Sequence, residues 1–273
     1  SRESALLNPL AANDGVHAIL LSGGSAFGLD AAGGVMRYLA ERNIGFPVGD
    51  IVVPIVCEAC IFDLQLVADA HPDQEMAYEA CKNAEKNMPA QGNVGAGTGA
   101  TVGKLLGSAG MMNSGLGIYA AAVGDLKMGA VVAVNALGDV YDYQTNRKLA
   151  GLYDPGTGSF LDSEETMYAM QEQLALQAHA NTTIGAVITN AAFTKTQLTK
   201  IAGMAHNGYA RSIRPVHTTA DGDTIYAVSA GEVRADINVA GTLAARVISE
   251  AVKRAVLEAG PAYGLKCAGK LDE

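Results

Sequence analysis

Residues 180–191, ANTTIGAVITNA, change character at a single position. A long polar segment precedes them, and from Thr183 onward the chain is a run of Ile, Val and Ala that reads as a buried strand. Strand entries are more often marked by Gly, Pro or Asp. Two hydroxyl side chains at this entry therefore make one of them a candidate nucleophile.

Outward from that strand, strand and helix patterns alternate in both directions. Downstream, KTQLTKIAGMAHNGYARSI carries apolar residues at Leu198, Ile201 and Ala205 and stops at Asn207-Gly208. RPVHTTADGDT follows, then the alternating strand IYAVSAG and a last helix from about Asn238 to Glu258. Upstream, HAILLSGGSAFGLDAAGGVMRYLAERNIG reads as strand, glycine turn and helix; IVVPIV and IFDLQLV read as short strands, and HPDQEMAYEACKNAEKN as an exposed helix. KMGAVVAVNALGDVYDY is a buried strand that reaches Asn135. Residues 144–181 carry Gly, Pro and Asp turn signals and then EETMYAMQEQLALQ, a helix with Ser163 as its expected cap; the whole reads as an exposed connector feeding Asn181-Thr182. This order predicts an α/β protein of layered sheets with helices outside, in one domain over residues 1–273.

Composition narrows the function classes. In 273 residues, 49% hydrophobic content allows a substantial core and excludes global disorder. A formal net charge of -9 argues against nucleic-acid surfaces and anionic membranes, which reward clustered Lys and Arg. No uninterrupted apolar stretch is long enough to span a bilayer. The opening SRESALLNPL lacks a signal-peptide pattern and 4 cysteines are too few for a disulfide scaffold, so a cytoplasmic location is expected. Cys57 and Cys60 form a C-x-x-C inside an apolar run, with no second pair at zinc spacing, and read as packing. No metal or cofactor is expected.

The Gly23-Gly24 turn frees backbone N–H groups that could hold an anion. The segment QGNVGAGTGATVGKLLGSAG, residues 91–110, ends its glycine run at Gly103-Lys104. It is not a P-loop, because that signature needs Gly at 98 and Ser or Thr at 105, where Thr98 and Leu105 stand. A dinucleotide fingerprint also fails, with Ala100 at the third glycine position. What remains is a loop delivering one lysine, either to a site or to solvent. Asn135 is either a turn former or an amide donor of the kind that stabilises an oxyanion.

A nucleophilic Thr182 needs a base, and no Ser-His-Asp arrangement is evident among 5 histidines. Attack of Thr182 Oγ on the Asn181 carbonyl, an N-to-O acyl shift, would cleave the chain and release the Thr182 amine. Such an amine titrates at roughly 7.7–8 and supplies the base on the same residue. Asp221-Gly222-Asp223 would place two carboxylates to orient that amine and hydroxyl, with Lys104 offsetting their charge. The alternative is an ordinary exposed Asp-Gly-Asp turn.

SRESALLNPL, the 17–49 segment, VVPIV with IFDL, GNVGAGTGATVGK, NTTIGAVITNA, AGMAHNGYARSIRPVHT and DGDTIYAVSAG together resemble the L-aminopeptidase D-Ala-esterase/amidase family, and within it the 6-aminohexanoate-oligomer hydrolases that cut nylon oligomers. The likeness spans almost the whole chain and is weakest between about 144 and 178. It implies a four-layer αββα sandwich of N-terminal-nucleophile-hydrolase type, shared with ornithine acetyltransferases. It further implies self-cleavage between Asn181 and Thr182 into chains 1–181 and 182–273, and assembly as a tetramer. Catalytic roles fall on Thr182, Lys104, Asn135, Asp221 and Asp223. The resemblance also leads one to expect a further segment ahead of Ser1. The expected partner is a small amide or peptide substrate, with no nucleic acid and no membrane. Acyl transfer to an amine, or ligand binding by an uncleaved chain, are the alternative readings.

Overall fold

The computed structural model describes residues 1–171 and 181–268. In its first half β1 (Ala18–Ser22) leads through a glycine turn and a 3-10 segment into α1 (Ala32–Ala40); a hairpin of β2 (Phe46–Val48) and β3 (Ile51–Val53) precedes β4 (Val56–Cys60) and α2 (Gln74–Ala84). A short pair, β5 (Thr101–Val102) and β6 (Met112–Asn113), is followed by the hairpin β7 (Leu116–Val123) and β8 (Leu126–Ala133). Then come β9 (Asp139–Tyr141), β10 (Lys148–Ala150) and α3 (Ser163–Ala169). The second half runs β11 (Ile184–Ala191), α4 (Lys195–Ser212), β12 (Ile213–Arg214), β13 (Thr224–Val233) and α5 (Ile237–Leu257).

The main sheet has the order β13-β11-β8-β7, with β11 parallel to β13 and antiparallel to β8. Strand alternation sends its two faces to different partners. Val187, Ile225, Met128, Ala130 and Val132 join the core formed with α4 and α5, whereas Ile184, Ala186, Ala133 and Tyr226 meet Cys57 and Ala59 of β4, which pairs in parallel with β1, and Ile61 just beyond it. The far side of that pair, Ala18, Leu20 and Val56, packs on Ala32, Val35 and Leu39 of α1 and Ala77 of α2. Three apolar interfaces thus separate four layers, in the order helices, sheet, sheet, helices, which is the expected αββα sandwich. β11 lies at the centre of the wide sheet, and complete burial of a side chain such as Ile184 contributes about 2 kcal/mol.

Several local expectations need correction. IFDLQLV is not a strand: Ile61 N–H still donates to Ser22 O, but Phe62 O then accepts from the Asn135 side chain and Leu66 N–H turns back onto Asp63 O, so no ladder continues. The helix expected over EETMYAMQEQLALQ is described as α3, Ser163–Ala169, and residues 172–180 lie outside the described residues. Its cap is Asp162, whose carboxylate accepts the N–H groups of Glu164 and Glu165; Ser163 points inward and donates to Asp139 at 2.7 Å. The described part of the 144–181 connector is not simply exposed, since Leu149, Ala150, Leu152 and Tyr153 are buried and Asn181 is 1% exposed. Cys57 is a core residue, as its apolar setting suggests. No described helix is long and apolar enough to cross a membrane.

Candidate active site

The residues just ahead of β11 are held from both sides. Asn181 N–H donates to Ala220 O at 2.9 Å, Thr182 N–H to Asn135 O at 2.9 Å, and Thr183 N–H to Asp223 Oδ1 at 2.7 Å. The Asn181 carbonyl, belonging to the peptide bond that would be cut, accepts from Gly222 N–H at 2.8 Å and from the hydroxyl of Thr182 at 2.5 Å. Gly222 N–H withdraws electron density from the carbonyl carbon and stands where negative charge would develop on attack, while the Thr182 hydroxyl lies against the same carbonyl as the group that would attack it. Gly222 has to be glycine for this contact. A Cβ there would lie 2.9 Å from Thr182 Oγ1, inside ordinary van der Waals distance.

Lys104 is no solvated surface lysine. Gly103 takes a left-handed turn (φ 71°) that opens the following 3-10 segment, and Lys104 is 3% exposed, with its ammonium 2.5 Å from Asn135 Oδ1. Burial pushes the lysine down to about 7, while Asp221 and Asp63 act in the opposite sense. Asn135 is fully buried rather than a surface turn former. Its Oδ1 also accepts from Thr101 N–H at 3.2 Å, and its Nδ2 donates to Phe62 O at 2.9 Å. One asparagine therefore ties the glycine loop, the 61–65 turn and, through its own backbone carbonyl, Thr182.

The Asp-Gly-Asp turn is likewise not a free surface turn. Asp221 Oδ2 accepts from Thr218 N–H at 2.9 Å and Thr218 Oγ1 at 2.6 Å, which aims the 218–222 turn at Asn181. The Asp223 side chain is 3% exposed, with His217 Nδ1 2.9 Å from its second oxygen. Burial raises the Asp223 carboxyl above its ordinary range, with the Asp221 charge in the same sense and the backbone N–H groups of Thr183 and His217 opposing. The structure thus gathers Asn181, Thr182, Lys104, Asn135, Asp221 and Asp223 around one peptide bond.

Asp63 belongs to the same neighbourhood and carried no role in the sequence reading. Its Oδ1 accepts Gly24 N–H at 2.7 Å, so the anion held by the Gly23-Gly24 turn is the protein's own carboxylate. A Cβ on either Gly23 or Gly99 would stand 2.6 Å from Asp63 Oδ2, which explains glycine in both loops. Its sequence signal was the lone acid in an apolar run, IFDL. His217 was missed for a different reason, since only the fold brings it to Asp223. Among the described residues no group of three or more His, Cys, Asp or Glu side chains is placed to hold a metal ion. A cavity of about 810 Å³ runs along β13 and the start of α4, and none of the six residues above lines it.

Comparison with known proteins gives a consistent result. Peptidase family S58 matches residues 1–268. An uncharacterized aminopeptidase of Mycobacterium leprae is 40% identical over 251 residues, a stretch that is 86% of this chain but 66% of the relative, so the chain spans a little under two thirds of that protein's length. A 6-aminohexanoate-oligomer endohydrolase of Agromyces sp. is 33% identical over 259 residues, covering 89% of this chain and 71% of the relative. Among solved structures, the L-aminopeptidase D-Ala-esterase/amidase of Ochrobactrum anthropi, described as a variant of the Ntn hydrolase fold, superposes with a TM-score of 0.58 at 20% identity, over 90% of this chain and 69% of that one. The same layered architecture is therefore present in both.

Proposed function

Because this chain belongs to peptidase family S58, whose members named above are amide-bond hydrolases, we propose that it is a self-processing amidohydrolase with Thr182 as nucleophile. The observation that carries this reading is the Asn181–Thr182 peptide bond: its carbonyl oxygen receives Gly222 N–H and the Thr182 hydroxyl together, at the entrance of a buried strand. In the first step Thr182 Oγ attacks the Asn181 carbonyl carbon, the hydroxyl proton passes to a base, and the C–N bond breaks as the amine takes a proton. Lys104, at about 7, is partly neutral near physiological pH and is the base proposed for this step. Water then hydrolyses the ester, leaving an Asn181 carboxylate and a free Thr182 amine.

In turnover the amine takes the hydroxyl proton while Oγ attacks a linear amide of the substrate. The acyl-enzyme forms, the leaving amine departs protonated, and water releases the acid. Asn135 O, which takes Thr182 N–H in the continuous chain, orients the amine. An asparagine Nδ2 carries two hydrogens, and with one on Phe62 O the second is the proposed oxyanion donor. Peptides, β-peptides and 6-aminohexanoate oligomers are the proposed substrate class, turned over by a tetramer of paired 1–181 and 182–273 chains.

Intact mass under denaturing conditions tests the first step. Two species, ending at Asn181 and beginning at Thr182, are expected from the wild-type chain, and one uncut, inactive species from Thr182→Ala. Cleavage and amide turnover that survive in Thr182→Ala would remove Thr182 from the mechanism.

A further inference from the structure

Beyond the residues that touch the scissile bond, a row of polar rings leads from Asp223 toward the surface. Asp223 Oδ1 is occupied by Thr183 N–H, at the residue that follows the nucleophile. Its Oδ2 receives both polar groups of one residue, the backbone N–H of His217 at 3.3 Å and His217 Nδ1 at 2.9 Å. His217 has a left-handed backbone, φ 57°, a conformation unfavourable for a residue bearing a Cβ. Such a cost persists where the surroundings fix the residue, and it concentrates at functional positions. On the other side of the ring, His217 Nε2 stands 3.2 Å from His206 Nδ1 on α4.

These contacts determine where the protons sit. With Asp223 ionised, His217 Nδ1–H donates to it and His217 Nε2 is an acceptor, so His206 Nδ1–H donates in turn and His206 Nε2 is the remaining basic nitrogen. The ring centroids of the two histidines are 4.8 Å apart, too close for both to be charged at low cost. Burial first, and His217 second, push His206 below its ordinary value. The row therefore carries at most one positive charge, beside Asp223. The other groups facing it are Asp221, Tyr209 and, through Asp221, Lys104. The Tyr209 ring lies 6.1 Å from His217 and its hydroxyl is held neutral, well above 10, by burial and by Asp223.

We propose that His217, backed by His206, is a positioning residue that fixes the orientation and charge of Asp223, and through Thr183 N–H the placement of the nucleophile; this rests on the reading of Thr182 given above. Without the imidazole donor of His217, Asp223 would take a proton at higher pH and loosen its grip on Thr183 at the start of β11.

The test is the pH profile of hydrolysis of an amino-acid p-nitroanilide, together with ¹⁵N-imidazole NMR of the full wild-type chain. His217→Phe is expected to move the acidic limb of kcat/KM upward by about one pH unit, a tenfold loss on that limb, and to lower kcat more than it alters KM. His217→Asn, whose amide can donate from the same place and which tolerates a left-handed backbone, is expected to restore the wild-type limb. His206→Phe should give a smaller shift in the same direction. A folded His217→Phe whose acidic limb coincides with wild type overturns the proposal, as does a shift equally large in His217→Asn. The NMR arm needs no variant and no turnover. The ¹⁵N shifts should place the proton of neutral His217 on Nδ1 and show Nε2 as the acceptor facing His206, and a neutral His217 protonated on Nε2 would sink the idea. Thr182→Ala separates the two readings: activity that survives there removes the nucleophile, whereas an inert Thr182→Ala with an unmoved His217→Phe limb removes only this inference.

Discussion

A single glycine sits against the hydroxyl of Thr182, and its replacement is the most local test of the site. Gly222→Ala adds a Cβ 2.9 Å from Thr182 Oγ1, so the hydroxyl must leave the Asn181 carbonyl. Self-cleavage followed by mass should slow at least about tenfold, or 1.4 kcal/mol of barrier, with an unchanged melting temperature. Lys104 makes an opposite prediction for stability. Its folded value, about 7, lies below the ordinary 10.5, so the unfolded chain binds the extra proton and Lys104 contributes stability that rises between about pH 7 and 10.5. At pH 7 and below, the buried ammonium is a standing cost. Lys104→Met should therefore abolish cleavage yet raise the melting temperature at pH 6–7 by several degrees and flatten its dependence on alkaline pH, as differential scanning calorimetry would show. In the sequence, the seam just ahead of β11 was legible because two hydroxyls interrupt a pattern. The roles of Asp63 and His217 were not, because a carboxylate held by Gly24 and an imidazole held by Asp223 are contacts across 39 and 6 residues that no spacing rule encodes.

At the scale of elements, period and punctuation carried most of the information. β11 and α5 were readable from alternation, helical spacing and stop signals, since packing and local propensity agree there. By contrast, α4 runs through the stop expected at Asn207-Gly208 and ends at Ser212, because Gly208 is a mid-helix glycine that lets α4 lie against Ala245 and Ile248 of α5. The strand expected at IFDLQLV failed because a hydrophobic run does not reveal that Asn135 and Asp63 claim its backbone partners. Within β4, Glu58 is an anomaly of the same kind: it is fully buried, and its Oε2 has no hydrogen-bond partner among the described residues. Burial pushes its carboxyl up to about 7, so the folded state holds a proton that the unfolded chain gives up above about 4.5. Stability from this residue is thus lost as pH rises from about 4.5 to 7, the acid-group case with the sign inverted from a salt-bridged carboxylate. Glu58→Gln is expected to leave stability near pH 4.5 almost unchanged and to raise it by about 3 kcal/mol at pH 8, read from urea unfolding at the two pH values.

For the whole molecule, the four-layer order was foreseen through resemblance, and the three apolar interfaces give it a physical reason: each sheet has two apolar faces and needs cover on both. The cut proposed at Asn181 would divide the wide sheet between two polypeptides, with β7 and β8 in one and β11 and β13 in the other. The antiparallel ladder from Ile184 to Thr189 against Ala133 to Met128 would then be intermolecular, backed by the core shared with α4 and α5. Size-exclusion chromatography of cleaved protein should accordingly show no separation of the fragments without denaturant, and separation would mean that this ladder is weaker than its burial implies. The position of β11 has a consequence for specificity as well. Amides at Ile184 and Val187, bonded within a strand flanked on both edges and buried on both faces, should exchange with solvent deuterium only through global unfolding. The nucleophile proposed at the head of so firm a strand would not adapt to what it attacks, so discrimination between one amide and another would fall to the turns around it, and a change of substrate range can be sought there without touching the strand.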